Sequence, residues 1–213
     1  MEASGPAPGA RNGHSLSWCA DAGGGGGGSL WMFGGADDEG HLSELWRLRS
    51  GGAADGTAAW EWSKPACTGE APAAREMHAA AALAARGALV VHGGNGGAGP
   101  LDTLHLLDLA TLVWAAPVTT PCARLAHAAA LLAPAGAPPR LVFFGGFSGG
   151  ALNNDVWALA DGAAAVEKVK GKGDAPQRRF AACAAALGAT LYVFGGSSQA
   201  EELADGLHAG AVE

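Results

Sequence analysis

Leu141-Val142-Phe143-Phe144-Gly145-Gly146, followed eight residues later by Asn154-Asp155-Val156-Trp157-Ala158-Leu159, decides the reading of this chain. A short apolar run stops at a double glycine, a polar loop follows, and a second apolar run carries a tryptophan. The same sentence recurs. Glycine pairs stand at Gly34-Gly35, Gly93-Gly94, Gly145-Gly146 and Gly195-Gly196, spaced 59, 52 and 50 residues apart. A period near fifty residues marks a repeat architecture in which each unit is one supersecondary element.

Working outward from the glycines, two offsets hold in all four copies. A proline lies three residues before an arginine in Pro8/Arg11, Pro72/Arg75, Pro121/Arg124 and Pro176/Arg179. The first glycine of each pair lies ten residues before Glu44, Thr103, Asp155 and Asp205. Three repeats add a histidine after the arginine, at His14, His78 and His127; Ala182 takes that place in the fourth.

Within a repeat the segments are short and β-like. His14 to Cys19 alternates polar and apolar, the period of a half-buried strand. Leu30 to Phe33, Leu45 to Leu48 and Trp60 to Trp62 complete four strands in the first repeat. The run Ala79 to Ala85 favours helix by propensity alone. The register of the other repeats predicts a strand there instead. A tract of six glycines, Gly23 to Gly28, reads as a hairpin loop. In the fourth repeat the third strand falls at Asp205 to His208, leaving five residues after it.

A four-stranded unit with apolar faces must stack on others like it, as blades do around an axis. The double glycine permits positive φ and close backbone approach where blades crowd. Trp46, Trp62, Trp114 and Trp157 supply flat area between sheets, each with an indole N–H to satisfy.

Pro-x-x-Arg-x-x-His, a strand ending Phe-Gly-Gly, then Asn-Asp-x-Trp-x-Leu, resembles the kelch repeat over about residues 8 to 210. The third repeat is the fullest match. The second has His92 for the phenylalanine and His105 for the tryptophan. The resemblance implies an all-β, kelch-type β-propeller of four blades, approximately 8–63, 72–115, 121–169 and 176–213, with residues 1–7 an unstructured lead-in. Kelch propellers usually have six or seven blades. Four repeats, the last short of a strand, therefore imply an incomplete propeller.

The family mostly binds other proteins through loops at one face, and a protein or peptide partner is expected here. The resemblance places Arg11, Arg75, Arg124 and Arg179 near the mouth, where some members use the equivalent arginine to bind acidic peptides. The competing role is an ion pair with Glu44, Asp155 or Asp205. Asn95 and Phe147 stand in the loops after the double glycines and are candidate partner contacts. Open blade faces would also invite self-association. A larger kelch protein bearing a separate enzymatic or adaptor domain is the alternative origin of such a segment.

Other chemistries are poorly supported. A net charge of −7 without a dense Lys or Arg run argues against a nucleic-acid surface. The uncharged stretch Phe180 to Gly196 is too short and too broken to cross a membrane as a helix. Gly93 to Gly99 has no Lys-Ser/Thr after it and is no phosphate loop. A copper radical oxidase of the galactose oxidase kind needs several tyrosines, and only Tyr192 is present. A metal-dependent enzyme or sensor would need His14, His78 and His127 to converge. No enzyme, metal or cofactor is expected. Cys19, Cys67, Cys122 and Cys183 lie too far apart for a CxxC site and read as free thiols. Met1 to Arg11 lacks the apolar core of a secretory signal, and the default expectation is the cytoplasm.

Overall fold

The computed structural model describes residues 3–21, 27–52, 58–160, 165–172, 175–198 and 207–212. Four antiparallel sheets follow one another along the chain, one per repeat. Blade 1 is built from Ser15–Ala20, Gly28–Phe33, Leu45–Gly52 and Ala58–Ser63. Blade 2 uses Ala79–Leu83, Ala88–His92, Thr103–Asp108 and Val113–Trp114. Blade 3 uses Ala128–Leu132, Arg140–Phe144, Val156–Ala160 and Val166–Val169. Blade 4 uses Cys183–Leu187, Thr190–Phe194 and His208–Val212. First strands of successive blades lie beside one another, which places them on the axis side.

The alanine run follows the repeat rather than its propensity. Ala79–Leu83 is a strand, and only Ala84–Arg86 turns, as a single 3₁₀ turn ended by Gly87 in the left-handed region. Pairing with Ala88–His92 outweighs the few tenths of a kcal/mol per residue by which alanine favours helix.

Outer edges are capped by link segments that no repeat pattern predicts. The expected lead-in is drawn into the fold at Ala3–Ser4, which pair in parallel with Trp60 and Glu61. Thr68–Gly69 pair in parallel with Val113–Trp114. In blade 4 the repeat itself supplies three strands, and Gly171–Lys172 pair with Ala211 and Val212 at the outer position. An edge strand offers a row of unpaired N–H and C=O groups, and even two residues of passing chain satisfy some of them. The third strand of blade 4 starts at His208, later than expected. Asp205 and most of the six-glycine tract lie outside the described residues.

Buried side chains form three clusters, one per join. Trp31, Phe33 and Leu45 of blade 1 meet Leu89, Val91 and Trp114 of blade 2. Val90 and Leu104 of blade 2 meet Leu141, Phe143 and Leu159 of blade 3. Val142, Phe144 and Ala158 of blade 3 meet Leu191, Val193 and Val212 of blade 4. Among the described residues no such cluster joins blade 4 back to blade 1. The four blades thus follow one another in chain order, joined by these three clusters.

Candidate functional site

The loops after the double glycines share one face. Each is tied back to the segment before its own first strand by an isolated bridge: Asn12 to Ala36, Glu76 to Asn95, Leu125 to Phe147 and Phe180 to Ser197. Beside those bridges a line of left-handed residues runs from blade to blade at Gly13, Met77, Ala126 and Ala181, with φ of 62°, 52°, 51° and 53°. The N–H of Met77 donates to Gly13 O, Ala126 to Met77 O, and Ala181 to Ala126 O, at 2.8, 2.7 and 2.8 Å. Three non-glycine residues held at positive φ carry strain, which this backbone ladder offsets.

The first glycine of the first three pairs is required by its neighbour. A Cβ on Gly34, Gly93 or Gly145 would meet the carbonyl oxygen of Arg75, Arg124 or Arg179 in the next blade at 2.6, 2.5 and 2.8 Å. The second glycine of each pair, Gly35, Gly94 and Gly146, donates its N–H to that same carbonyl.

The four arginines are turned inward. Each guanidinium donates through Nε to the carbonyl two residues earlier and through Nη1 to the first glycine carbonyl of its own blade. For Arg124 these are Cys122 O at 3.2 Å and Gly145 O at 2.7 Å; for Arg179, Gln177 O and Gly195 O, both at 3.0 Å. Arg75, Arg124 and Arg179 are buried, and the Arg11 side chain is nearly so. The resemblance implied a ligand-binding mouth for these side chains. Their fork-shaped donors are instead committed to holding a loop to a strand, which is what a rigid planar guanidinium does well.

What the guanidinium meets on the third strand differs between blades. Arg11 pairs with Glu44 at 2.7 Å, and Arg124 with Asp155 at 3.1 Å. In both blades the tryptophan two residues on donates its indole N–H to the same carboxylate, Trp46 to Glu44 at 3.0 Å and Trp157 to Asp155 at 2.8 Å. Lys64 and Lys168 complete the two clusters. Hydrogen bonds from Lys64, Arg11 and Trp46 lower the Glu44 pKa to about 2. Burial alone would raise that of Asp155, but Arg124, Trp157 and Lys168 outweigh it and hold it low. Blade 2 has Thr103 in place of the carboxylate and His105 in place of the tryptophan. Arg75 donates to Thr103 Oγ1 at 3.3 Å and to His105 Nε2 at 3.4 Å. An indole can only donate, whereas the neutral imidazole supplies a lone pair to the second guanidinium nitrogen of Arg75.

The repeat histidines are not brought together. His14 is exposed, His78 bonds Ser15 Oγ of blade 1 at 2.8 Å, and His127 bonds His92 of blade 2 at 3.0 Å. Among the described residues no three His, Cys, Asp or Glu side chains are placed to hold a metal ion. The tautomers of the blade 2–3 join follow from one proton. Thr120 Oγ1 donates to Asp102 O at 2.7 Å, so His92 Nε2 must donate to Thr120. His92 Nδ1 then accepts from His127 Nε2–H. Burial lowers the pKa of His78 and His92 to about 3 and that of His105 to about 4, with nearby arginine charge adding to it. Burial likewise drives His127 well below the ordinary range. His92 and His105 belong to no spacing motif in the sequence. The signal was there in their positions, each replacing an aromatic residue of the repeat.

With the arginines inside, the charge on the loop face is acidic at blade 1. Asp37, Asp38 and Glu39 are exposed on a tight hairpin, Asp37 Oδ1 accepting from the N–H of Glu39 and Gly40. His41 of that hairpin lies 3.5 Å from Glu76 of blade 2. Asn95 is a loop shaper: it donates to Glu76 Oε1 and accepts from Gly97 N–H. Phe147 is half-buried, its backbone bridged to Leu125 and Leu152. At blade 4, Arg178 is exposed.

The KLHDC2/KLHL20/DRC7 Kelch-repeats domain family matches residues 1–134. The chain belongs to the kelch-repeat family. Among curated proteins it is similar to the Rab9 effector protein with kelch motifs of Rattus norvegicus, 34% identical over 133 residues, which cover 60% of this chain and 32% of that protein. The Mus musculus protein of the same name is 37% identical over 93 residues, 43% of this chain and 23% of the relative. Tip elongation aberrant protein 3 of Schizosaccharomyces pombe is 27% identical over 131 residues, 51% of this chain and 11% of that protein. The chain thus matches a third or less of the length of these relatives.

Proposed function

We propose that this kelch domain binds a partner protein through the loop face, with the acidic hairpin at blade 1 selecting a basic surface. The observation that carries this reading is the division of charge. Each described arginine of the repeat is spent inside a blade, whereas Asp38 and Glu39 are exposed on a hairpin whose ends are tied by backbone hydrogen bonds between Ala36 and Asn12 and from Leu42 to Gly35. Preorganised loops lower the ordering cost of association, and a local patch of one sign steers encounter. The relatives named Rab9 effectors make Rab9 the first partner to test. Binding without chemistry is the proposed mode of action. Its support is that the buried imidazoles are held neutral and the Cys122 thiol is raised by burial, which leaves neither poised as a base or a nucleophile. The four free thiols support a reducing compartment such as the cytoplasm.

The test is titration calorimetry of the purified chain with Rab9 at low and moderate salt. Binding that weakens with salt, and falls at least about tenfold in the variant Asp37→Lys/Asp38→Lys/Glu39→Lys, is the expected result. Rab9 binding unaffected by that variant would remove the acidic hairpin from the interface. No binding at all would remove Rab9 as the partner.

A further inference from the structure

The second strand of a blade runs from a hairpin at one end to the double glycine at the other. In blade 2 that strand is Ala88–His92, about 17 Å long, so the hairpin lies on the face opposite the loop face. On that far face, between the hairpins of blades 2 and 3, is a cavity of about 190 Å³. Leu83, Leu131, Pro139, Leu141 and Leu159 wall it, with Arg86. Its floor is the core of the blade 2–3 join, to which Leu83, Leu141 and Leu159 belong. Among the described lining residues Arg86 carries the one formal charge, and Arg86 is exposed.

Both walls are fixed from outside. Gly87, left-handed at φ 58°, donates its N–H to Ala84 O and accepts from Leu109 N–H, which holds the 3₁₀ turn on two sides. Across the cavity, Ala133 N–H donates to Gly188 O of blade 4, and Pro138 and Pro139 stiffen the return into the second strand. Ala84 and Ala85 are too short to fill the space between the two turns. Atoms that face a void forgo dispersion contacts, and protein interiors keep few voids wider than a water molecule. The lining here offers water few hydrogen-bond partners, so an apolar occupant fits it better.

We propose that this cavity binds a small aliphatic carboxylate of about six carbons, with its chain among the leucines and its carboxylate on Arg86. Size sets the body: an apolar cavity of about 150 Å³ is enough to take up benzene. Charge sets the head group. Small-molecule sites are mostly apolar with a few placed polar groups, and here the placed group is a guanidinium, whose planar fork matches a carboxylate. Because Arg86 is exposed, the acid head stays in contact with water and no charge is buried. The site shares no residue with the acidic hairpin of blade 1 and does not depend on a partner bound there.

Leucine methyl NMR spectra of the purified chain, titrated with hexanoate, test this. Hexan-1-ol carries the same chain without the charge, and acetate the charge without the chain. Saturable shifts centred on the methyl groups of Leu83, Leu131, Leu141 and Leu159 are expected, with millimolar affinity for so small a ligand. Hexanoate should bind about three- to fivefold more tightly than hexan-1-ol, the reach of an exposed ion pair. Acetate should move none of these signals. Arg86→Gln should remove the preference for the acid, and Ala85→Phe, at an exposed position of the lining, should abolish binding of both ligands. Melting curves matching the wild type establish that the variants fold; if one does not, the comparison of acid and alcohol in the wild type still decides. No saturable shift with hexanoate overturns the proposal. So does hexan-1-ol bound as tightly as hexanoate, which removes the carboxylate from what is recognised. Hexanoate binding that survives Ala85→Phe overturns it too, since the ligand then sits elsewhere.

Discussion

In blade 3 the buried guanidinium of Arg124 faces a carboxylate; in blade 2 that of Arg75 faces none. The rest of each blade follows from that difference. Asp155 satisfies Arg124 and leaves an acceptor for Trp157, so blade 3 can keep its indole. Thr103 offers one neutral oxygen where Asp155 offers two charged ones, and blade 2 has His105 in place of the indole, its lone pair meeting Arg75. Blade 2 also has His92 at the end of its second strand, where blades 1, 3 and 4 have Phe33, Phe144 and Phe194. One blade is built on a charge pair and aromatic rings, the other on neutral imidazoles. Equal geometry thus hides unequal responses to protons and to mutation.

Acid is the sharpest way to separate them. A histidine whose folded pKa is depressed binds protons better when unfolded. Its stabilisation is complete above the ordinary value near 6.5 and is lost as pH falls below that toward about 3 for His78 and His92 and about 4 for His105. Between pH 7 and 5 each such group costs about 2 kcal/mol. His127, lowered by burial, acts in the same direction. Thermal melts at pH 7, 6 and 5 should therefore fall steeply. His92→Phe, the residue of the other blades, should flatten the slope by about one proton, about 1.4 kcal/mol per pH unit. A melting temperature that does not move between pH 7 and 5 would sink the distinction.

Deleting the arginines comes next. Arg124→Met strands a partly buried carboxylate and should cost about 3–5 kcal/mol in urea titration. Arg75→Met leaves no opposite charge behind, only unpaired acceptors, and should cost about 1–3 kcal/mol. Equal costs would mean that the carboxylate is incidental. A smaller effect is expected from exchanging the solutions. Asp155→Thr and Trp157→His should each destabilise, while the double variant should cost about 1–2 kcal/mol less than their sum. Strict additivity would show that the residues of blade 2 are not a coupled set. Smallest of all, Glu44→Gln in the partly exposed cluster of blade 1 should cost about 1 kcal/mol or less at neutral pH. Because the Glu44 pKa is lowered, that contribution is present above about pH 4 and lost as pH falls through about 2.

Much of the fold was legible because its signals are local. Double glycine at Gly145-Gly146 reports a backbone conformation, alternation in His14 to Cys19 reports a strand, and their fixed spacing reports a blade. The register even overruled the helix propensity of Ala79 to Ala85. The candidate site was legible only in part. Arg75, Arg124 and Arg179 were visible as repeat positions, but which way a guanidinium turns depends on the carbonyl that Gly93, Gly145 or Gly195 offers it across the blade. Exchange of Glu44 and Trp46 for Thr103 and His105 stood in the sequence, yet its sense needs the arginine between them.

What the sequence alone determined is the repeating unit: its strands, its turns and the order of its four copies, all set by steric and hydrophobic preferences that act over a few residues. What only the tertiary structure decided is where each unit ends up relative to another. The capping of blade edges by Ala3–Ser4 and Gly171–Lys172, the neutral imidazoles of the blade 2–3 join and the acidic loop face all belong to that class. Burial, charge pairing and exposure are properties of neighbours, and neighbours some fifty residues away are chosen by how the blades stack.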